Sequence, residues 1–260
     1  MSFLRLILLL TMIIPAGSGL AAAQDRGSLE VTGRVKVGTK VEKIKRKRFY
    51  LFRGGIEANK ALIDRIKAGA AVSRNCFYCN AKASPELIAW LAVEDCETPF
   101  CRIVTTEDRQ KVPEFRAAYQ KGLTQFKNKP DIAQKWLSTN IAPNLRDGFY
   151  RLQKTLTETV LGTTKPLQSS MTDSVSVRAI FIDIPVQPAA GKTAETFLIS
   201  NIVPVEIGDK SYVWACEVDI STSKKVTLAL AVPEAGKTIK KCEVIVRDLA
   251  ACTTGTCAPR

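Results

Sequence analysis

The sequence predicts an α+β protein in which an antiparallel β-sandwich carries an inserted, disulfide-stapled helical segment. Three observations predict this class. An export signal precedes eight cysteines, and disulfides are the usual fate of cysteines outside the cytoplasm. Apolar residues alternate with period 2 near both ends of the exported chain. Between those ends, the apolar spacing is that of amphipathic helices.

Residues 1–23 are expected to be a cleaved signal peptide. Arg5 supplies its positive charge, residues 6–14 its apolar core, and residues 21–23 the small side chains of a cleavage site. No cysteine lies at the cleavage point, so a lipid anchor is not expected. The predicted location is the periplasm, the cell surface or the medium, with no membrane span after cleavage.

Residues 24–55 are expected to form β-strands. Leu29, Val31, Val35 and Val37 alternate with polar residues, a turn follows at Gly38, and a second extended run reaches residue 52. A lone hairpin is only marginally stable in water, so these strands are expected to join a later sheet. The segment carries ten Lys/Arg against three Asp/Glu, over half of the charge of the exported chain.

Residues 56–161 are expected to form the helical segment. The predicted helix starts and stripes lie at Ile56–Gly69, Ser84-Pro85-Glu86, Pro113, Pro130 and along Leu145, Phe149, Leu152, Leu156 and Val160, with Gly162 as a cap. Residues 162–260 are expected to form the sandwich, with strands near 175–186, 196–207, 212–218, 226–232 and 242–246.

Four cysteines lie in the helical segment, at Cys76, Cys79, Cys96 and Cys101, around the second predicted helix. Structural disulfides are the leading interpretation, because oxidation competes with metal loading outside the cytoplasm. Zinc binding by the four thiolates stays open as an alternative. A second alternative is a thiol–disulfide oxidoreductase that uses the Cys76/Cys79 pair.

The other four cysteines lie in the predicted sandwich. Alternation places Cys216 and Cys242 on inward faces, with Trp214 beside them, so these two are expected to pair. Cys252 and Cys257 enclose four residues and are expected to close a small loop.

Catalytic chemistry is restricted by the absence of histidine. Histidine-dependent triads and zinc helices are excluded, and no cofactor or metal site is predicted. Glu94, Asp95 and Glu97 could serve a carboxylate-dependent glycan hydrolase, although three acids beside a turn are usually a solvated surface. Asp183, in an apolar run, needs a partner if it is buried, and Arg178 is a candidate. An outward-facing Asp183 on an exposed strand is the commoner case.

Contact with another molecule is predicted for the basic segment, residues 43–48. Its cations are Lys43, Lys45, Arg46, Lys47 and Arg48, and aromatic residues follow at once. Such a segment suits anionic polysaccharide, lipid head groups or another exported protein. The alternative is an edge strand whose charges prevent aggregation. The leading function is therefore a non-enzymatic structural or binding protein, with no specific nucleic-acid partner.

Residues 28–37, with their Val31-x-Gly33-x-Val35 pattern, and residues 48–52 resemble the opening strands of carboxypeptidase regulatory-like modules, which are small transthyretin-like β-sandwiches. The resemblance covers about 25 residues. It departs from the family at the basic segment and at the cysteine-rich helices after Gly55. It implies a non-catalytic sandwich for folding support, carbohydrate contact or surface attachment, and it brings no functional residues.

Overall fold

The computed structural model describes residues 26–234, 238–249 and 252, so the predicted signal peptide lies outside the described part. The described strands are β1 (Arg26–Thr32), β2 (Arg34–Val37), β3 (Lys40–Lys43), β4 (Arg48–Arg53), β5 (Gln168–Met171), β6 (Arg178–Pro185), β7 (Glu195–Ser200), β8 (Val205–Ile207), β9 (Lys210–Ile220), β10 (Val226–Ala229) and β11 (Cys242–Asp248). The described α-helices are α1 (Lys60–Ala68), α2 (Arg74–Asn80), α3 (Pro85–Val93), α4 (Thr106–Lys111), α5 (Pro113–Gln125), α6 (Pro130–Lys135), α7 (Pro143–Arg146) and α8 (Gly148–Leu161).

Two open sheets face each other. One has the strand order β10-β1-β6, and the other has the order β11-β9-β7-β4-β5, with β8 also paired to β9. Every described pairing is antiparallel except β1 with β10, which is parallel. The predicted α+β class, with an antiparallel sandwich and a helical insertion, is confirmed.

The sandwich core comes from the period-2 alternation of both sheets. Leu29 and Phe181 of the smaller sheet pack with Leu51, Phe197 and Trp214 of the larger one. All five side chains are almost fully buried. Burial of each such side chain contributes roughly 1.5–3 kcal/mol, so this core is a main source of stability.

The outer face of the larger sheet is also buried, because helix α1 lies on it. Leu62, Ile63 and Ile66 of α1 pack against Phe52 and Leu198 of the sheet. This covering explains why β7 and β9 are nearly continuously buried rather than alternating.

The expected N-terminal strand is interrupted at Gly33, which separates β1 from β2. The Gly33 N–H donates to the Val177 carbonyl at 2.8 Å, and the Ile44 N–H donates to the Gly33 carbonyl at 2.8 Å. A Cβ at position 33 would lie 2.9 Å from the Ile44 carbonyl oxygen. Only glycine permits this close approach of three chain segments.

The helical segment is inserted between β4 and β5, which are hydrogen-bonded neighbours in the larger sheet. It has its own core, in which Tyr78, Leu87, Trp90, Phe115 and Phe149 are buried together. Its two ends therefore leave and re-enter the sheet side by side.

Several helix boundaries agree with the predicted signals. The Ser84 hydroxyl accepts a hydrogen bond from the Leu87 N–H at 3.1 Å, so Ser84 is the N-cap of α3. Gly69 and Gly162 end α1 and α8. Helices α2 and α4 and strand β5 lie in stretches for which no element was predicted. The predicted last helix is broken just before Gly148, so it forms two helices, α7 and α8.

Candidate functional site

The basic segment does not form one strand. Lys43 is the last residue of β3, Arg48 is the first residue of β4, and the residues between them form a connector. Ile44 of the connector is buried, and Arg46 has a φ of 54°. The second extended run predicted after Gly38 is therefore interrupted at residues 44–47, and the cations of the segment point to different surroundings.

Lys47 is held by the acidic turn, residues 94–97. Its Nζ lies 2.6 Å from Glu97 Oε1 and 4.0 Å from Asp95 Oδ1, and its side chain is only 11% exposed. Asp95 also lies 3.7 Å from Arg74 Nη1. Lys47 is therefore paired with two carboxylates of the protein and is not free to bind an external anion.

Arg46 is likewise directed toward the acidic turn. Its Nη2 donates to the Glu94 carbonyl oxygen and lies 3.9 Å from Cys96 Sγ. Its Nε is buried, with no hydrogen-bond acceptor among the described residues. The Glu94 carboxylate pairs with Arg102 at 3.1 Å. The acidic turn thus supplies partners for nearby cations. The glycan-hydrolase alternative for these acids stays a prediction.

A cleft of about 300 Å³ lies between the basic segment and helix α8. Its lining residues are Arg46, Lys47, Arg48, Tyr50, Glu97, Tyr150, Gln153, Lys154, Thr157, Glu158, Met171 and Val203. Cationic side chains and two tyrosines dominate this wall. Residues of the basic segment thus line a concave site.

One face of α8 supplies nearly half of the lining. The five residues are Tyr150, Gln153, Lys154, Thr157 and Glu158, at positions i, i+3, i+4, i+7 and i+8, which places them on one side of a helix. Phe149 lies on another side of α8 and packs in the helical core, and Val160 packs against the cluster formed by α1 and the larger sheet. The sequence contained this polar stripe, but nothing in it indicated that the basic segment lay opposite.

Arg48 is the cation of the basic segment that is most available to a ligand in the cleft. It is exposed, and its Nη1 donates to the neutral Ser169 hydroxyl at 3.1 Å. Lys154 is also exposed, with its Nζ 3.8 Å from Glu158 Oε1. An exposed pair at that distance is weak, so Lys154 can turn toward an anion at little cost.

The two tyrosines lie on opposite sides of the cleft, in β4 and in α8. Tyr150 is 55% exposed, whereas Tyr50 is half-buried. Burial raises the pKa of Tyr50, so its hydroxyl stays protonated at neutral pH and can donate a hydrogen bond. Both rings offer apolar surface together with a polar group.

A small polar cavity of about 30 Å³ adjoins the cleft and shares Lys47, Glu97 and Gln153 with it. Arg74 and Glu206 also line this cavity. Glu206 Oε1 accepts a hydrogen bond from the Arg74 N–H at 2.5 Å. Burial raises the pKa of Glu206. Glu206 is not among the predicted site residues, because its only signal in the sequence is an acid between the apolar Val205 and Ile207.

The predicted pairing of Cys216 with Cys242 is confirmed. The two residues lie directly opposite each other on β9 and β11, so the bridge joins neighbouring strands of one sheet. Trp214 is buried in the same core, as expected.

The predicted Cys252–Cys257 loop is wrong, because Cys252 is bonded to Cys76. Cys257 lies outside the described residues. The bridge joins helix α2 to a residue 176 positions later, which no local spacing could indicate. Within the helical segment, Cys96 is bonded to Cys101.

Cys79 is also disulfide-bonded, and none of the described cysteines is free. Since Cys76 is bonded to Cys252, the Cys76/Cys79 pair is not closed on itself as an oxidised redox motif would be. Among the described residues, no group of three or more Cys, Asp or Glu side chains is placed to hold a metal ion.

Asp183 does not need Arg178 as a partner. It is exposed, has a φ of 52°, and lies where the register between β1 and β6 shifts. Arg178 instead lies 3.2 Å from Glu30, a buried carboxylate that also contacts Lys225. The buried acid of this sheet is therefore Glu30, and Asp183 is the outward-facing acid expected as the commoner case.

Comparisons of the chain with protein-family models, with curated proteins and with solved structures find no match in any of the three. Within the described part of the chain, no helix combines the length and the apolar character needed to cross a bilayer. The three described disulfides are consistent with an oxidising, extracytoplasmic location.

Proposed function

We propose that this chain is an exported, non-enzymatic binding protein that holds an anionic ligand in the cleft between the basic segment and α8. The observation that carries the proposal is the position of Arg48. This exposed guanidinium borders a concave, tyrosine-lined site, and its hydrogen bond goes to a neutral hydroxyl. A guanidinium in such a site is suited to a carboxylate, sulfate or phosphate group.

The same geometry narrows the contact surface of the basic segment. Arg46 and Lys47 attach the segment to the acidic turn, which leaves Arg48 and the nearby Lys154 to meet the ligand. Export is supported by the expected signal peptide and by the disulfides. The resemblance to carboxypeptidase regulatory-like modules remains compatible with this role, because it implies a non-catalytic sandwich.

The test uses the disulfide-bonded exported chain and a soluble polyanion, dextran sulfate. Its Kd is measured for the wild type, for Arg48→Gln/Lys154→Gln and for Lys36→Gln/Lys40→Gln. The control pair removes the same charge from exposed positions on or beside the β2–β3 hairpin, away from the cleft.

We expect the cleft variant to bind about tenfold more weakly and the control to change by less than about twofold at 0.15 M salt. Equal weakening by both variants would mean that only net charge matters and would overturn the proposal. Undetectable binding by the wild type would overturn it as well.

A further inference from the structure

The chemistry around Arg48 distinguishes among anionic ligands. The cleft has about 300 Å³, at the lower end of the roughly 300–1,000 Å³ that small-molecule sites occupy. A site of that size accepts one or two units of a chain, not a duplex or a folded surface. The part of the ligand that enters the cleft is therefore one or two units long, and the groups that bind the protein lie on those units.

Carboxylates form part of the same wall. Glu158 is 65% exposed and Glu97 is 26% exposed, and both line the cleft with Arg48 and Lys154. A DNA-like polymer would place phosphates, with few hydroxyls, near these carboxylates. A chain whose units each carry one acidic group and two or more hydroxyls can instead turn its hydroxyls toward the carboxylates, because hydroxyls donate hydrogen bonds to carboxylates.

The neutral polar groups of α8 favour the same kind of ligand. Gln153 presents an amide and Thr157 a hydroxyl on the helix face that also carries Glu158. Amides, hydroxyls and carboxylates are complementary to the alternating donors and acceptors of sugar hydroxyls. A lipid head group would use the cations of the cleft but not this row.

The tyrosines complete the site. Tyr150, 55% exposed at the cleft, and Tyr50, half-buried on the other side, offer ring faces to an apolar surface of the ligand. A pyranose ring has a face of C–H groups that packs on an aromatic ring, while its hydroxyls point outward to polar partners.

Resting on the proposed anion-binding function, we propose that the cleft recognises an acidic oligosaccharide. The ring of one uronic-acid-type sugar packs on Tyr150, its carboxylate binds Arg48, and its hydroxyls bind Glu158, Gln153 and Thr157. Recognition requires both the acid and the sugar ring, which separates this ligand from a simple polyanion.

The experiment compares four probes on the disulfide-bonded exported chain. They are a tetramer of galacturonic acid, the same tetramer as its methyl ester, an oligothymidylate with the same number of charges, and phosphatidylglycerol vesicles. The variants are Tyr150→Ala, Tyr150→Phe and Trp136→Ala. Trp136 is 48% exposed and does not line the cleft, so its variant controls for loss of an exposed aromatic ring.

We expect the acidic tetramer to bind at least about fivefold more tightly than the ester and the oligothymidylate. Tyr150→Ala should weaken it about tenfold, whereas Tyr150→Phe and Trp136→Ala should change it by less than about twofold. The inference is overturned if oligothymidylate or phosphatidylglycerol vesicles bind as tightly as the tetramer. It also fails if Tyr150→Ala has no effect.

Dextran sulfate separates the two levels of the proposal. Binding of dextran sulfate without preference for the acidic tetramer would overturn the sugar inference and leave the anion-binding function in place. Loss of binding to every anionic probe would overturn both.

Discussion

Lys47 Nζ lies 2.6 Å from Glu97 Oε1, and this ion pair joins the strand connector of the sandwich to the inserted helical segment across fifty residues of sequence. Arg46 adds a second link by donating to the Glu94 carbonyl oxygen. The ion pair positions Lys47 and Glu97, which line both the cleft and the small polar cavity. The basic segment therefore has two roles, attachment of the helical segment and display of Arg48.

Replacement of Lys47 by Met should destabilise the protein by about 2 kcal/mol. The variant leaves Glu97, which is only 26% exposed, without its closest cation. The measurement is the urea unfolding midpoint under non-reducing conditions. Lys40→Met, at an exposed position of β3, is the matched control and should stay within about 0.5 kcal/mol of the wild type. Equal effects of the two variants would contradict the role assigned to the ion pair.

The disulfide connectivity predicts the result of a peptide map. Digestion without reduction should release linked peptides that contain Cys76 with Cys252, Cys96 with Cys101 and Cys216 with Cys242. Alkylation before reduction should leave all the described cysteines unlabelled. A peptide linking Cys252 to Cys257 would show that the C-terminal loop closes on itself and would refute this arrangement.

Asp108 should make the stability depend on acid pH. Burial opposes its ionisation, but hydrogen bonds from Arg102, the Thr105 N–H and Trp90 more than offset this and hold the pKa of Asp108 well below its usual range. Because the folded state binds this proton more weakly than the unfolded state does, the contribution is fully present above about pH 4. It is lost as pH falls toward the folded-state pKa.

Asp108→Asn should therefore be less stable than the wild type by about 2 kcal/mol at pH 7, and the difference should shrink below about pH 4. Urea unfolding at pH 7, 4 and 3 measures this trend. The exposed Asp131→Asn, in the first turn of α6, should cost less than about 1 kcal/mol. A difference for Asp108→Asn that stays constant over this range would rule out the proton linkage.

The contribution of Glu206 to stability should have the opposite pH dependence. Burial raises its pKa, so the folded state binds this proton more tightly than the unfolded state. Its stabilising contribution is present below the unfolded-state pKa and declines as pH rises through the folded-state pKa. Glu206→Gln keeps an oxygen to accept the hydrogen bond from the Arg74 N–H.

Glu206→Gln should thus be as stable as the wild type, or more stable, at pH 7, and should lose that advantage at pH 4. The control is Glu57→Gln, an exposed position at which the same change should have little effect at either pH. A Glu206→Gln protein that is more stable relative to the wild type at pH 4 than at pH 7 would contradict the assigned pKa direction.

Local patterns in the sequence determined much of the fold. The alternation around Leu29 and Trp214 predicted inward-facing strands, and Ser84 predicted the start of α3, because these signals depend on residues only a few positions apart. The Cys216–Cys242 pair was predictable for the same reason, since each strand's alternation already placed its cysteine inside.

Only the tertiary structure decided what the charged residues and the remaining cysteines do. Lys47 forms an ion pair with Glu97, Cys76 is bonded to Cys252, and Arg48 lies across a cleft from Tyr150. A periodic pattern over neighbouring residues cannot predict such contacts. They follow from inserting the helical segment between β4 and β5, which brings its acidic turn and α8 beside the basic segment. A run of charged residues has no preferred partner until the fold brings one within a few ångströms, so sequence alone predicted most of the elements but not the site.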